Sequence, residues 1–159
     1  MSVKAQPDGY HSITPYLVTH DATAAIEFYK AAFGATELMR LPGPGGKLMH
    51  AEIKVGDSPI MLADEFPEMG IRSARSFGGS PVSIMIYTED VDAMFAQAIA
   101  AGGTEKKPLA DQFYGDRSGT IEDPFGHSWT IASHTEDVSP EEIDRRFQEM
   151  MKQMGGGES

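Results

Sequence analysis

Tyr114-Gly115-Asp116-Arg117-Ser118-Gly119-Thr120-Ile121-Glu122-Asp123-Pro124-Phe125-Gly126-His127-Ser128-Trp129-Thr130 reads as a strand, a tight turn and a second strand. Residues Arg117 to Glu122 alternate as a strand does. In Asp123-Pro124-Phe125-Gly126 the proline presets φ and the glycine tolerates positive φ, which is turn chemistry. His127 to Ala132 then forms the return strand. Trp129 and Ile131 share one face and suit packing against a helix. Ser128, Thr130, Ala132 and His134 share the other, where small side chains leave room for a ligand. Polar and aromatic residues are denser here than elsewhere, so a site is expected along this hairpin.

Upstream, Val82–Thr88 is a predicted strand. Asp90 caps a helix carrying Val91, Met94, Phe95, Ala98 and Ile99 at helical spacing, and Gly102-Gly103 stops it. Thr104–Pro108 follows as a strand and 109–113 as a loop. The same order occurs once before. Ile13–Thr19 is a strand, and Asp21 or Thr23 caps a helix that Gly34 ends. Thr36–Leu41, Leu48–Val55 and Ser58–Ala63 are strands, divided by turns at Pro42–Gly46 and Gly56-Asp57. Asp21 and Asp90 lie 69 positions apart, as do Gly34 and Gly103, while Gly56 and Gly126 lie 70 apart. Such a period is a duplicated βαβββ unit, too long for a solenoid repeat. The expected fold is α+β: two tandem βαβββ modules forming a curled mixed sheet around a cavity, plus a C-terminal helix. The segments are an N-terminal arm (1–11), a first module (12–66), a linker (67–80), a second module (81–135) and a helical tail (136–159). In the tail, Ser139, Pro140 and Glu142 make a capping-box start. Ile143, Phe147, Met150 or Met151, and Met154 form an apolar stripe, and Gly155–Ser159 should fray.

The 159 residues carry a formal charge of −11, with 24 acids against 13 bases. Nucleic acid and anionic membrane surfaces are therefore not expected partners. No run of about 18 apolar residues suggests a membrane span. The absence of cysteine excludes disulfides, thiolate metal sites and a cysteine nucleophile, and fits a cytoplasmic protein.

Two βαβββ units and the run from Tyr114 to His127 resemble the vicinal oxygen chelate superfamily over roughly residues 12–134, and its PhnB-like branch in particular. That group includes glyoxalase I, bleomycin-resistance proteins, fosfomycin-resistance enzymes and extradiol dioxygenases. The resemblance implies a small-molecule ligand in a cup between modules and a homodimer, since modules often pair between chains. Metal-dependent members place His, Gln or Glu on the first and last strand of each unit. Those positions fall at Thr14, Ile60, Ser83 and Thr130 here, none of them a ligand for zinc, nickel or iron. The expectation is therefore a binding protein without the usual metal. The alternative is a glyoxalase-class lyase or isomerase holding zinc, nickel or manganese through His50, Glu52 and His134.

His50 and Glu52, two apart on one strand, share a face and are the candidate catalytic pair. Tyr16, Tyr114, Asp116, Arg117 and Thr130 are the candidate ligand-binding residues. Arg117 suits a carboxylate or phosphonate, and Tyr114 suits hydrogen bonding or stacking. A plain salt bridge between Asp116 and Arg117 is the competing reading. His127 and Asp123 read as turn-forming.

Overall fold

The computed structural model describes residues 2–156. The first module comprises β1 (Tyr16–Thr19), α1 (Ala22–Phe33), β2 (Thr36–Pro42), β3 (Leu48–Val55) and β4 (Ser58–Asp64). A linker containing the short helix α2 (Ala74–Phe77) leads to β5 (Ser83–Tyr87), α3 (Val91–Ala101), β6 (Thr104–Asp111), β7 (Asp116–Glu122) and β8 (Ser128–His134). Helix α4 spans Pro140–Gly155; the fraying expected at 157–159 lies outside the described residues.

Each module makes one four-stranded sheet, ordered β1-β4-β3-β2 and β5-β8-β7-β6. The first strand pairs parallel to the last, and the other pairs are antiparallel. The expected α+β architecture of two βαβββ modules with a C-terminal helix is thus present. Strand β6 runs further than the sequence suggested, through Pro108. Its ladder skips between Lys107 and Ala110, which accommodates the missing N–H of the proline.

The helices start and stop where their caps dictate. The carboxylates of Asp21 and Asp90 accept from the amides of Ala24 and Ala93, at 3.0 and 3.1 Å. Gly34 ends α1 in the left-handed region at φ 67. Ser139 accepts from Glu142 N, but the Glu142 carboxylate turns to Arg145 and Arg146, so only half of the capping box forms.

Helices α1 and α3 pack on each other, and one core joins both modules. Tyr29 and Phe33 of α1 lie against Trp129 of β8, with ring centroids 5.2 and 4.8 Å apart. Beneath them Asp123, 3% exposed, accepts four hydrogen bonds. Tyr29 Oη (2.6 Å) and Trp129 Nε1 (2.8 Å) donate to one oxygen, and the amides of Phe125 and His127 (2.9 Å each) to the other. The turn former of the sequence reading is also a tie between modules.

With the helices gathered between them, the opposite faces of the two sheets stay open. On the first sheet Met39 pairs with Glu52 and Leu41 with His50, so these four share the open face with Tyr16 and Met61. On the second, Met85, Thr130 and Thr120 form a row, with Tyr87 one step along. Tyr16 and Leu41 are each 50% exposed and Tyr87 61%.

Candidate functional site

The open face of the first sheet carries a continuous hydrogen-bond chain. The alternation of β3 buries Ala51 and Ile53 and turns His50 and Glu52 outward together. His50 Nε2 lies 3.0 Å from Glu52 Oε1, and Tyr16 Oη lies 2.8 Å from His50 Nδ1. A carboxylate only accepts, so Nε2 carries the hydrogen, and Nδ1, where it carries none, accepts from Tyr16. Tyr10 of the N-terminal arm donates to the other oxygen of Glu52. Hydrogen bonds from His50 and then Tyr10 hold the Glu52 carboxyl below its ordinary value. Burial, followed by the Glu52 charge, pushes the Tyr16 phenol up, so it stays protonated at neutral pH. While Tyr16 donates to Nδ1, its hydroxyl offers only oxygen lone pairs to the open face, backed by an oriented imidazole and a fixed carboxylate. The chain can then accept a hydrogen bond from a ligand, and a proton taken up at His50 Nδ1 turns the phenol round to donate outward.

The second sheet carries a comparable cluster. Asp116 accepts from Tyr87 Oη at 2.7 Å and faces His134 Nδ1 at 2.8 Å. His134 Nε2 faces Asp137 at 2.7 Å. Both ring nitrogens meet carboxylates, so the charged imidazolium is favoured and its pKa lies above 6.5, first through Asp116 and then Asp137. A raised folded value contributes stability that is complete below about pH 6.5 and is lost as pH rises through the folded value. In an imidazole NMR titration His134 should give a midpoint above that of a free histidine, and Asp116→Asn should lower it. An unshifted midpoint in the parent would contradict the pairing.

The sequence candidates therefore separate. Tyr16, His50 and Glu52 come together on one sheet, and Asp116, Thr130 and His134 lie on the other. Tyr114 stacks edge-on against Phe113 at 5.2 Å. Arg117 points to the helix side of β7, where its guanidinium meets Asp92 at 2.8 Å and Asp111 at 3.5 Å. Neighbours on a strand face opposite ways, so Arg117 and Asp116 cannot pair. The residues proposed for an alternative metal site are likewise divided, His50 and Glu52 on β3 and His134 on β8. Tyr10, Tyr87 and Asp137 complete the two clusters and were not foreseen. Only Tyr87 left a trace, in its alternation with Met85. His127 directs Nε2 to Val18 O at 3.3 Å.

The sequence profile of the Glyoxalase/Bleomycin resistance protein/Dioxygenase superfamily matches residues 9–131. The chain belongs to that superfamily. It is 42% identical over 160 residues to an uncharacterised protein of Mycobacterium bovis, covering 99% of this chain and 100% of that one. Among solved structures it is similar to TioX from Micromonospora sp. ML1, with a TM-score of 0.62 and 26% identity, covering 78% of this chain and 98% of that one. A PhnB protein from Bacillus cereus shares the fold, with a TM-score of 0.59 at 21% identity, covering 77% of this chain and 99% of that one.

The superfamily's metal positions can now be placed in register. In the first module the expected position, Ile60, pairs with Ile53 and is buried on the helix side. The open-face residue beside it is Met61, so the sequence placement is off by one there. In the second module Thr130 does face outward, with its hydroxyl 2.9 Å from that of Thr120. A thioether and a hydroxyl do not supply the imidazole and carboxylate donors that zinc, nickel or iron require. Among the described residues no group of three His, Asp or Glu side chains is arranged to hold a metal ion. The residues at these two positions do not fit the superfamily's metal. No helix among the described residues is long and apolar enough to cross a membrane.

Proposed function

We propose that this superfamily member binds a small organic molecule on the open face of the first sheet without a metal ion. A second copy of the chain closes the cup. The observation that carries the reading is the Tyr16–His50–Glu52–Tyr10 chain. It is a set of preorganised polar groups set among Met39, Leu41 and Met61 on a face that the N-terminal arm covers only at Glu52 and that stays half-exposed at Tyr16 and Leu41. Sites for small molecules combine apolar walls with a few fixed polar groups in this way. An uncovered apolar sheet face is also what a partner subunit would bury. The polar anchors would orient the ligand, and His50 is the group placed to take a proton should the bound molecule be turned over. A cytoplasmic location goes with this reading, given the absence of cysteine.

Two measurements test it. Light scattering after size exclusion should give twice the 17.2 kDa chain mass, and Leu41→Glu should give the single mass, since a charge on the buried face disfavours association. A monomeric parent at micromolar concentration would remove the second copy from the account. Elemental analysis of protein purified without chelator should find far less than one equivalent of zinc, nickel or manganese per chain. A full equivalent would rule out the metal-free reading and favour the alternative of a metal-dependent lyase or isomerase.

A further inference from the structure

The sequence reading asked for a cation to anchor an anionic ligand in an acidic protein, and Arg117 is committed to Asp92. The other arginines divide clearly. Arg40, Arg145 and Arg146 also sit against carboxylates. Arg75 lies 3.1 Å from His20 Nε2. Arg72 has no carboxylate within ion-pair distance among the described residues. It donates one hydrogen bond to Ser76 O at 2.8 Å, and its guanidinium lies 4.3 Å from the ring centroid of Phe77. Stacking on a ring fixes the guanidinium plane while leaving its edge donors available.

Arg72 borders a cavity of about 410 Å³ between the linker and β1. Its wall includes Tyr16, Arg72, Phe77, Ser80 and His127, and, among the described residues, no Asp or Glu. In a chain of charge −11, such a wall sets a cation where an anion can approach it, while the nearby Glu65 carboxylate is taken up by Ser73 N and Ser76 Oγ. Phe77, 65% exposed, offers an aromatic face beside the cation. The hydroxyl of Tyr16 reaches from this cavity to His50.

We infer that this cavity takes the anionic end of a planar small molecule, a carboxylate or phosphonate held by the Arg72 guanidinium beside Phe77. Tyr16 connects that end to the His50–Glu52 face. The inference rests on the cup reading above and adds the charge class of the ligand. A guanidinium matches both oxyanions through paired N–H donors.

The test is an amide NMR titration of the full chain with benzoate and with phenylphosphonate, using benzamide as the neutral control. At least one anion should bind at millimolar concentration more tightly than benzamide, and the tighter of the two identifies the anion class. Arg72→Gln should weaken it about tenfold or more, and Arg72→Lys should recover part of the loss. Lys152→Gln, which removes equal charge on α4, should leave affinity unchanged. Equal weakening by Arg72→Gln and Lys152→Gln would overturn the inference, as would benzamide binding as well as the anions. Anion-induced shifts at Tyr16 and His50 that Arg72→Gln does not alter would overturn it while sparing the cup reading. Shifts at Arg72, Phe77 and His127 that stop short of His50 and Glu52 would uphold the anion site and contradict the cup reading.

Discussion

Asp123→Ala is expected to lower the unfolding free energy by about 3–5 kcal/mol, the cost of breaking a buried charged network. The carboxylate is the common acceptor for Tyr29, Trp129 and the amides of Phe125 and His127. Without it, four buried donors lose their partner, and each unsatisfied group carries its own desolvation cost. The damage is not confined to the turn. Tyr29 belongs to α1 and Trp129 to β8, so the interface between modules loosens with the hairpin. Tyr29→Phe removes one donor and leaves the other three satisfied, so it should cost only about 1 kcal/mol. Urea unfolding followed by circular dichroism measures both. A slope of about 2 kcal/mol/M places the Asp123→Ala midpoint roughly 1.5–2.5 M below the parent. Equal losses for the two variants would show that the tyrosine contact alone matters.

Gly115→Ala is the second large effect. Gly115 has φ of +102, a region side chains rarely adopt, and an added Cβ would stand 2.2 Å from the carbonyl oxygen of Glu136. Neither strain is easily relieved, because Gly115 O accepts from the amides of Thr135 and Glu136 at 2.9 and 3.0 Å. Backbone strain and overpacking of this kind each cost roughly 1–3 kcal/mol, so a loss of about 3 kcal/mol is expected. The change should also be local in character. It pushes apart the start of β7, which holds Asp116, and the strap that follows His134. Glu136 anchors Arg146 of α4 at 2.8 Å, so the C-terminal helix should loosen as well. Hydrogen exchange should accelerate at 113–118, 134–137 and α4 before the first module responds. Uniform acceleration across both modules would contradict this picture.

The fold was legible because its signals are local and occur twice. Asp caps at 21 and 90, glycine stops and the spacing of the turn glycines specify a βαβββ unit, and its repetition leaves little choice of architecture. The face assignments of β8 also follow from alternation alone, with Trp129 and Ile131 inward and Thr130 and His134 outward. The module boundaries were harder. Residues Ala74–Phe77 form a helix in what reads as irregular linker, because the Ser73 hydroxyl caps it and the distant Glu65 carboxylate binds Ser73 N and Ser76 Oγ.

The candidate site was legible in pieces. The pairing of His50 with Glu52 is a spacing effect on one strand. Its completion by Tyr16 depends on the parallel pairing of β1 with β4, and by Tyr10 on the path of a proline- and glycine-bearing arm. Neither is written in a periodic pattern. Arg117 shows what residue type alone leaves open. Its residue type and glycine flanks suited an anion anchor, yet strand parity sends it to the helix side, toward Asp92. One residue of register also separates Ile60 from Met61, and parity turns that slip into a change of face.

The Tyr16–His50–Glu52 face is proposed to receive a small organic molecule without a metal ion. The most direct measurement is an imidazole NMR titration of the parent protein with phenylphosphonate, run with and without EDTA and then with added zinc. The account predicts that the His50 ring resonances move saturably on titration, that EDTA leaves the affinity unchanged, and that zinc does not increase it. Binding abolished by EDTA and restored by zinc, or saturation that leaves the His50 ring unmoved, would contradict it.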